Sequence, residues 1–381
     1  MREMRPGHRS SFIIVAMAAL ALLCAAAAAS PGGLCAEEWR QAASQRQWSF
    51  PRDHGSHGEY RTEWWYFTGN LRGNDGKRYG YQLTFFRYGL ATKPKQPENP
   101  WSVRDIYLAH FAVTDIGKGT FRYRDIVSRK GPGLAAAKEG RMDVRVLNWS
   151  AVMSSGRIEL RADHEGTELS VHLTPMKPLA LHGAGGLSKK GPAPGQASYY
   201  YSFTNLKTEG TIKTPDMVAP ASVRGTSWFD QEFGSNQLAK DQAGWDWFAL
   251  HLSDGRDLMV YYLRKKDGTV EKESSGTLVE RDGTSRSLRL AEIEMKVLSY
   301  WTSKKSSGRY PAAWRIRIPS AAIDITASAL VANQELFTTA STGITYWEGA
   351  VGGRGTSNGN EVALEGYVEL TGYAGALGGV F

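Results

Sequence analysis

One aromatic stretch occurs twice in this chain. Glu63–Leu71 (EWWYFTGNL) matches Gly244–Leu252 (GWDWFALHL), with Trp64 against Trp245, Phe67 against Phe248 and Leu71 against Leu252. Each copy continues through an Asp-Gly turn into an aromatic strand that ends in arginine, YQLTFFR at Arg87 and LMVYYLR at Arg264. Further on, Tyr201 and its strand resemble Tyr346-Trp347, and Gly225 before an aromatic strand resembles Gly366. The spacing between matching positions shrinks along the chain, so the second copy is shorter by about one long hairpin. A duplication of this size restricts the chain to two similar units in tandem.

The units read as strands. Tyr79–Arg87, Ile106–Thr114, Glu168–Leu173 and Trp314–Ile318 alternate or cluster aromatic and β-branched residues, with Asp75-Gly76, Asp254-Gly255, Asp267-Gly268 and Asp282-Gly283 between such runs. Asp-Gly in this setting is the strongest short-range hairpin signal. A short helical piece is expected only near Glu37–Gln47. The fold class is all-β, two tandem antiparallel β-barrels or sandwiches, spanning 48–236 and 237–381 with a junction near Phe233–Gln242. A barrel of about eight strands closes its own edges and can hold one small ligand. The stretch Gly183–Gly195, rich in Gly, Lys and Pro, reads as a loop within the first copy.

Residues 1–36 read as a signal peptide. Arg2, Arg5, His8 and Arg9 precede an apolar run from Phe12 to Ala29, which exits through alanines into Pro31-Gly32-Gly33. Leu23 and Leu34 precede Cys24 and Cys35, where lipid attachment wants a small residue, so a lipid anchor is not expected. The mature protein is expected in the periplasm or outside the cell, without a membrane span after cleavage. Two cysteines exclude a disulfide scaffold and a Cys-rich zinc site. Aromatic content of 11% and charged content of 22% argue against disorder. The formal charge of +8 is spread without a Lys/Arg cluster, so nucleic acid is not an expected partner.

Three segments carry candidate chemistry. In Phe50–Asn70, Asp53, His54 and His57 offer a ligand set, but His-x-x-His on a Pro/Gly-flanked segment lacks the helical spacing that turns two imidazoles to one face. Hydrogen bonding that closes a barrel end is the preferred reading, and no metal or other cofactor is expected. Strand alternation puts Trp64 and Tyr66 on one face and Glu63 and Trp65 on the other. Glu63 is either an acid with a burial-raised pKa or a structural carboxylate paired with Arg61 or Arg87.

In Gly225–Gln237 (GTSWFDQEFGSNQ), alternation places Trp228, Asp230 and Glu232 on one face, and Phe229, Gln231 and Phe233 on the other. Two carboxylates at i and i+2 repel when both ionise, so one should hold a proton near neutral pH, as a general acid must. Trp228 beside them can shield a cation with its π face. His110, on an apolar strand face with Leu108 and Ala112, reads as a core histidine or a base. No Gly-x-Ser-x-Gly elbow, P-loop or HExxH is present, so a hydrolase would lack a recognisable nucleophile.

Taken together, DHGSH-x-x-YRTEWWYFTGNL, SWFDQEFGS, GWDWFALHLSDGRDLMVYYLR and YWEGAV…GYVELTGY resemble the AttH-like family, over essentially all of Phe50 to Tyr373. That family is related to carotenoid 1,2-hydratases (hydroxyneurosporene synthase) and, more distantly, to fungal lipocalin-like cyclases. The resemblance implies two lipocalin-like β-barrels, export, and association with a lipid-type ABC permease. It also implies that an aromatic-x-Asp pair, here Trp228 and Asp230, protonates a double bond that water then attacks. An upstream His-x-Trp pair of the hydratases falls on Tyr201 and Phe203, so the histidine is missing here.

The expected protein binds an apolar isoprenoid- or lipid-like ligand, either in the first barrel or in the crevice between barrels. Asp230 would be the general acid, with Glu232 or Glu63 setting its proton affinity. Trp228, Tyr201, Phe203, Trp245, Trp247, Trp64, Tyr66 and His110 would shape the pocket. If an enzyme, it is a hydro-lyase or cyclase acting on an alkene; the alternative is a non-catalytic lipid carrier serving a transporter. A secreted hydrolase, built on a pair such as Asp230 and His110, ranks last.

Overall fold

The computed structural model describes residues 38–92 and 102–375, so the signal peptide expected over 1–36, with Cys24 and Cys35, lies outside the described residues. The fold is all-β, as expected, with single-turn 3₁₀ segments and no α-helix among the described residues. No described helix is long and apolar enough to cross a membrane.

A 13-stranded antiparallel sheet holds β1 (Thr62–Gly73), β2 (Arg78–Gly89), β3 (Asp105–Asp115), β4 (Thr120–Arg129), β5 (Ala135–Ala137), β6 (Asp143–Val146), β7 (Trp149–Ser154), β8 (Arg157–His164), β9 (Thr167–Pro175), β10 (Ala180–Leu181), β11 (Leu187–Lys189), β12 (Ala197–Lys213) and β13 (Ala221–Gly234). A 10-stranded sheet follows, with β14 (Gln242–Leu252), β15 (Asp257–Lys265), β16 (Ser275–Val279), β17 (Ser285–Arg289), β18 (Glu294–Thr302), β19 (Arg309–Ile318), β20 (Ile323–Ala329), β21 (Glu335–Phe337), β22 (Thr345–Ser357) and β23 (Asn360–Leu370).

The first sheet runs β4-β3-β2-β1-β13-β12-β9-β8-β7-β6-β5, and the second β17-β16-β15-β14-β23-β22-β20-β19-β18. Without the β5–β6 hairpin the first order is the second order, strand for strand. The duplication is therefore one of topology, and the hairpin expected to be missing from the second copy is β5–β6. Both sheets curl into near-closed, lipocalin-like barrels. In the first, the ends of the sheet meet where the Ala137 amide donates to the Tyr107 hydroxyl, 3.2 Å away.

Asp-Gly turns close hairpins as the sequence predicts. Gly76 and Gly255 have φ of +80° and +92°, a backbone state that costs glycine nothing and other residues a good deal. Each barrel is filled by its own side chains. Trp65, Phe67, Leu83 and Phe229 lie in the first core, and Phe248, Leu258, Trp314 and Val368 in the second. The segment 39–47 is not helical. It crosses the end of the first barrel with Ala42 and, just beyond, Trp48 packed against Tyr199 and Phe233, so isolated anchors rather than a helical face decide its path.

Candidate functional site: the cleft between the barrels

Alternation sends every second residue of the central strands outward, and the two outer faces press on one another. Tyr66, Tyr200 and Trp228 of the first barrel form one buried cluster with Trp247, Ala249, Met259, Tyr261, Ala350 and Tyr367 of the second. Asn70 Nδ2 donates across this contact to the Gly366 carbonyl at 3.1 Å, and Tyr66 donates its hydroxyl to Glu348. Gly80 permits the approach, because a Cβ there would stand 2.6 Å from the Tyr367 hydroxyl and 2.8 Å from Ala350.

Beside this contact the faces part into a half-open cleft with a cavity volume of about 100 Å³. Trp64, Tyr66, Phe86, Trp245, Trp247 and Tyr346 supply much of its aromatic wall. Polar side chains interrupt this wall, and the carboxylates among them are Asp230, Glu232 and Glu369.

Asp230 is 4% exposed. Its Oδ1 accepts from Trp228 Nε1 at 2.6 Å and from the Ser202 hydroxyl, and its Oδ2 accepts from the Tyr200 hydroxyl at 2.7 Å. Trp247 Nε1 in turn donates to that tyrosine oxygen at 3.0 Å. Burial pushes the Asp230 carboxyl up to about 7 against the pull of the Ser202, Tyr200 and Trp228 donors, and the neighbouring Glu232 charge adds to the rise. Glu232 itself accepts from Ser198 and is ion-paired with Lys190 at 2.9 Å. Lys190 is buried and lies 4.1 Å from the centre of the Tyr261 ring. The cleft therefore holds one compensated charge pair and, two residues away on the same strand, an acid whose raised pKa leaves it partly protonated near neutral pH.

Of the residues expected at the site, Asp230, Glu232, Trp64, Tyr66, Trp245, Trp247 and His110 line the cleft. Trp228 stands behind Asp230 and orients it through the indole N–H. His110 is already committed on both ring nitrogens, to the Tyr346 hydroxyl at 2.7 Å and the Ser341 hydroxyl at 2.9 Å, and burial lowers its pKa to about 4. It holds a wall of the cleft and has no nitrogen free to activate water.

Glu63, Tyr201 and Phe203 are on the opposite side of the sheet. Tyr201 and Phe203 belong to the first barrel's own core. Glu63 is fully buried there and accepts from His57 Nδ1 at 2.7 Å, Gln231 Nε2 at 3.0 Å and Arg87 Nε at 3.3 Å. Despite burial its pKa lies below the usual range, held down by His57 and Arg87, so Glu63 is the structural carboxylate paired with Arg87. Of the other two groups weighed as ligands, Asp53 bonds His57 Nε2 at 3.2 Å and the Arg46 guanidinium at 2.7 Å, and His54 bonds the Tyr201 hydroxyl at 2.7 Å. These bonds fasten the 50–57 segment over the barrel end.

Sequence reasoning missed Tyr200, Lys190 and Glu369. Tyr200 is one residue from the expected Tyr201, and that step exchanges the faces of a strand. Lys190 lies in the stretch read as a plain loop. Glu369 was obscured by the pairing of Gly225 with Gly366. The ladders set Gly225 opposite Leu71 but Gly366 opposite Leu250, a displacement of two residues from the repeat.

Two outward-facing lipocalin-like barrels with an acid in the aromatic cleft between them define the class. The AttH-like family model matches residues 41–373, and the chain belongs to that family. Among solved structures, an AttH protein from Nitrosomonas europaea is 33% identical, with 88% of this chain and 99% of that one covered and a TM-score of 0.77. Kievitone hydratase from Nectria haematococca shares the fold at 16% identity, covering 85% of this chain and 92% of that one, with a TM-score of 0.65. No curated protein matches the sequence.

Proposed function

We propose that the protein adds water to a carbon–carbon double bond of an apolar, isoprenoid- or lipid-like molecule held between the barrels. The observation that carries this reading is the Asp230 carboxyl, buried at the aromatic cleft with a pKa near 7. Such a group is protonated in a useful fraction at neutral pH, which is the condition for a general acid.

In the reaction the Asp230 O–H bond breaks and a C–H bond forms at one alkene carbon, leaving a cation on the other. The faces of Trp64, Trp245 and Trp247 stabilise that cation. A water oxygen then bonds to it and loses a proton. Capture by a second double bond of the same molecule, in place of water, would close a ring from the same first step. Ser202 and Trp228 fix Oδ1, which leaves Oδ2 to carry the proton beside Tyr200. The basic and then apolar leader supports a periplasmic or secreted location, where a lipid-type ABC permease would be a neighbour.

The test compares mass spectra of an envelope lipid extract incubated with mature protein and with Asp230→Asn. A species heavier by one water, formed by the wild type and reduced about 10²–10⁴-fold in the variant, supports hydration. Retention of the same unaltered lipid by both would overturn it in favour of a carrier.

A further inference from the structure

The ladder registers make a second carboxylate the counterpart of Asp230. Asp230 is paired with Tyr66 across β1–β13, and Glu369 with Trp247 across β14–β23. Tyr66 and Trp247 are themselves matching positions of the repeat, each two residues beyond its Trp64 or Trp245, and their rings meet edge to face at 5.0 Å. The duplication has thus placed one carboxylate from each barrel at the same position, and the outward packing of the barrels turns both into one cleft.

Building on the hydration reading, we infer that Glu369 is the base of the reaction, taking the proton from the water that bonds to the cation made by Asp230. Hydration needs both a donor and an acceptor, and a second carboxylate lets the attacking water be deprotonated by a group other than the one that has just protonated the alkene. The balance closes without a further reagent. Asp230 loses a proton to carbon, water gives its oxygen to the cation and one proton to Glu369, and return of that proton to Asp230 through water resets the pair.

The surroundings of Glu369 suit the role. Its Oε2 accepts from Trp245 Nε1 at 2.9 Å, which favours the ionised form and fixes the carboxylate. Burial, with the charges of Asp230 and Glu232, pushes its pKa up to about 7. From β22, Glu348 sits directly opposite Glu369 in the ladder; burial and the Glu369 charge drive its own pKa well up, against the pull of the hydrogen bond it accepts from Tyr66. Lys190 is committed to Glu232, and His110 is neutral at pH 7. Asp230 and Glu369 are thus two buried acids of one cleft, both with raised pKa, and the Asp230 charge raises that of Glu369.

Incubation of the lipid extract in heavy water enriched in ¹⁸O separates the two roles. Wild type should install one deuterium on carbon and one ¹⁸O. Glu369→Gln should still exchange deuterium into the alkene by reversible protonation, with ¹⁸O addition reduced about 10²-fold or more. Asp230→Asn should do neither. Addition of ¹⁸O by Glu369→Gln near the wild-type rate overturns the inference while leaving hydration intact; absence of both labels with wild type overturns hydration itself.

A second readout needs no substrate and keeps Glu369 in place should Glu369→Gln fail to fold. Carboxyl titration by ¹³C NMR should show the Glu369 midpoint, near 7 in wild type, fall by about one pH unit or more in Asp230→Asn. An unchanged midpoint refutes the coupling between the two carboxylates.

Discussion

Replacement of Asp230 by asparagine should make the protein more stable at alkaline pH, although it removes the proposed acid. The Asp230 pKa is raised from 3.8 to about 7 in the folded chain, chiefly by burial. Below pH 3.8 both states hold the proton and the group leaves stability untouched. Between 3.8 and 7 the unfolded chain ionises while the folded chain does not, so stability falls as pH rises and levels off above the folded value. At 1.36 kcal/mol per pKa unit the loss amounts to about 4 kcal/mol. Asparagine is neutral at every pH and escapes this loss. Its amide nitrogen cannot accept from Tyr200, which costs about 1 kcal/mol. Asp230→Asn should therefore be less stable than wild type by about 0.5 kcal/mol at pH 4 and more stable by about 3 kcal/mol at pH 8. Urea midpoints of the two proteins, measured across that range, should cross. A gap that stays constant from pH 4 to 8 would refute the raised pKa and, with it, the case for Asp230 as an acid.

Two further substitutions test the frame that holds the site. Arg87→Met should destabilise the protein by about 3–5 kcal/mol in urea unfolding, because the buried guanidinium serves Glu63, Asp105 and the carbonyls of His57 and Tyr60, and its loss removes the arginine charge that both buried carboxylates share. A cost below about 1 kcal/mol would show that Glu63 is not held as described. Gly225→Ala should cost about 1–3 kcal/mol, since the new Cβ would fall 1.9 Å from the Asn70 carbonyl and the β1–β13 ladder would have to shift. Because that ladder carries Asp230, a thermal midpoint equal to that of the wild type would contradict the close approach.

Much of the fold was legible because alternation and turn chemistry are local. YGYQLTFFR could only be a strand, and the Asp-Gly pairs ended strands where the backbone needed a positive φ. The repeat forecast even the hairpin absent from the second copy. Alternation also placed Trp228, Asp230 and Glu232 together on one face, as the cleft requires. What alternation leaves undetermined is which face meets which neighbour. Trp64 and Tyr66 could as well have filled the first barrel as faced the second, and only the packing of the two outer surfaces decides.

Parity explains the remaining differences. The family motif fell on Tyr201 and Phe203, which point into the barrel, whereas Tyr200, one step away, holds Asp230. A slip of two keeps the face but misplaces the partner, and so the match of Gly225 to Gly366 concealed that Glu369 stands where Asp230 stands. Glu63 was ambiguous for another reason: a buried carboxylate reads the same in sequence whether its neighbour is a substrate or Arg87.

The central claim is that a neutral Asp230 donates the proton that starts water addition, and the most direct measurement is the rate of ¹⁸O incorporation from labelled water into the lipid extract as a function of pH. The account predicts that incorporation by wild type declines as pH rises through about 7, where Asp230 loses its proton, and that Asp230→Asn shows almost none at any pH. Incorporation that is undiminished at pH 9, or equal in the variant, would contradict it.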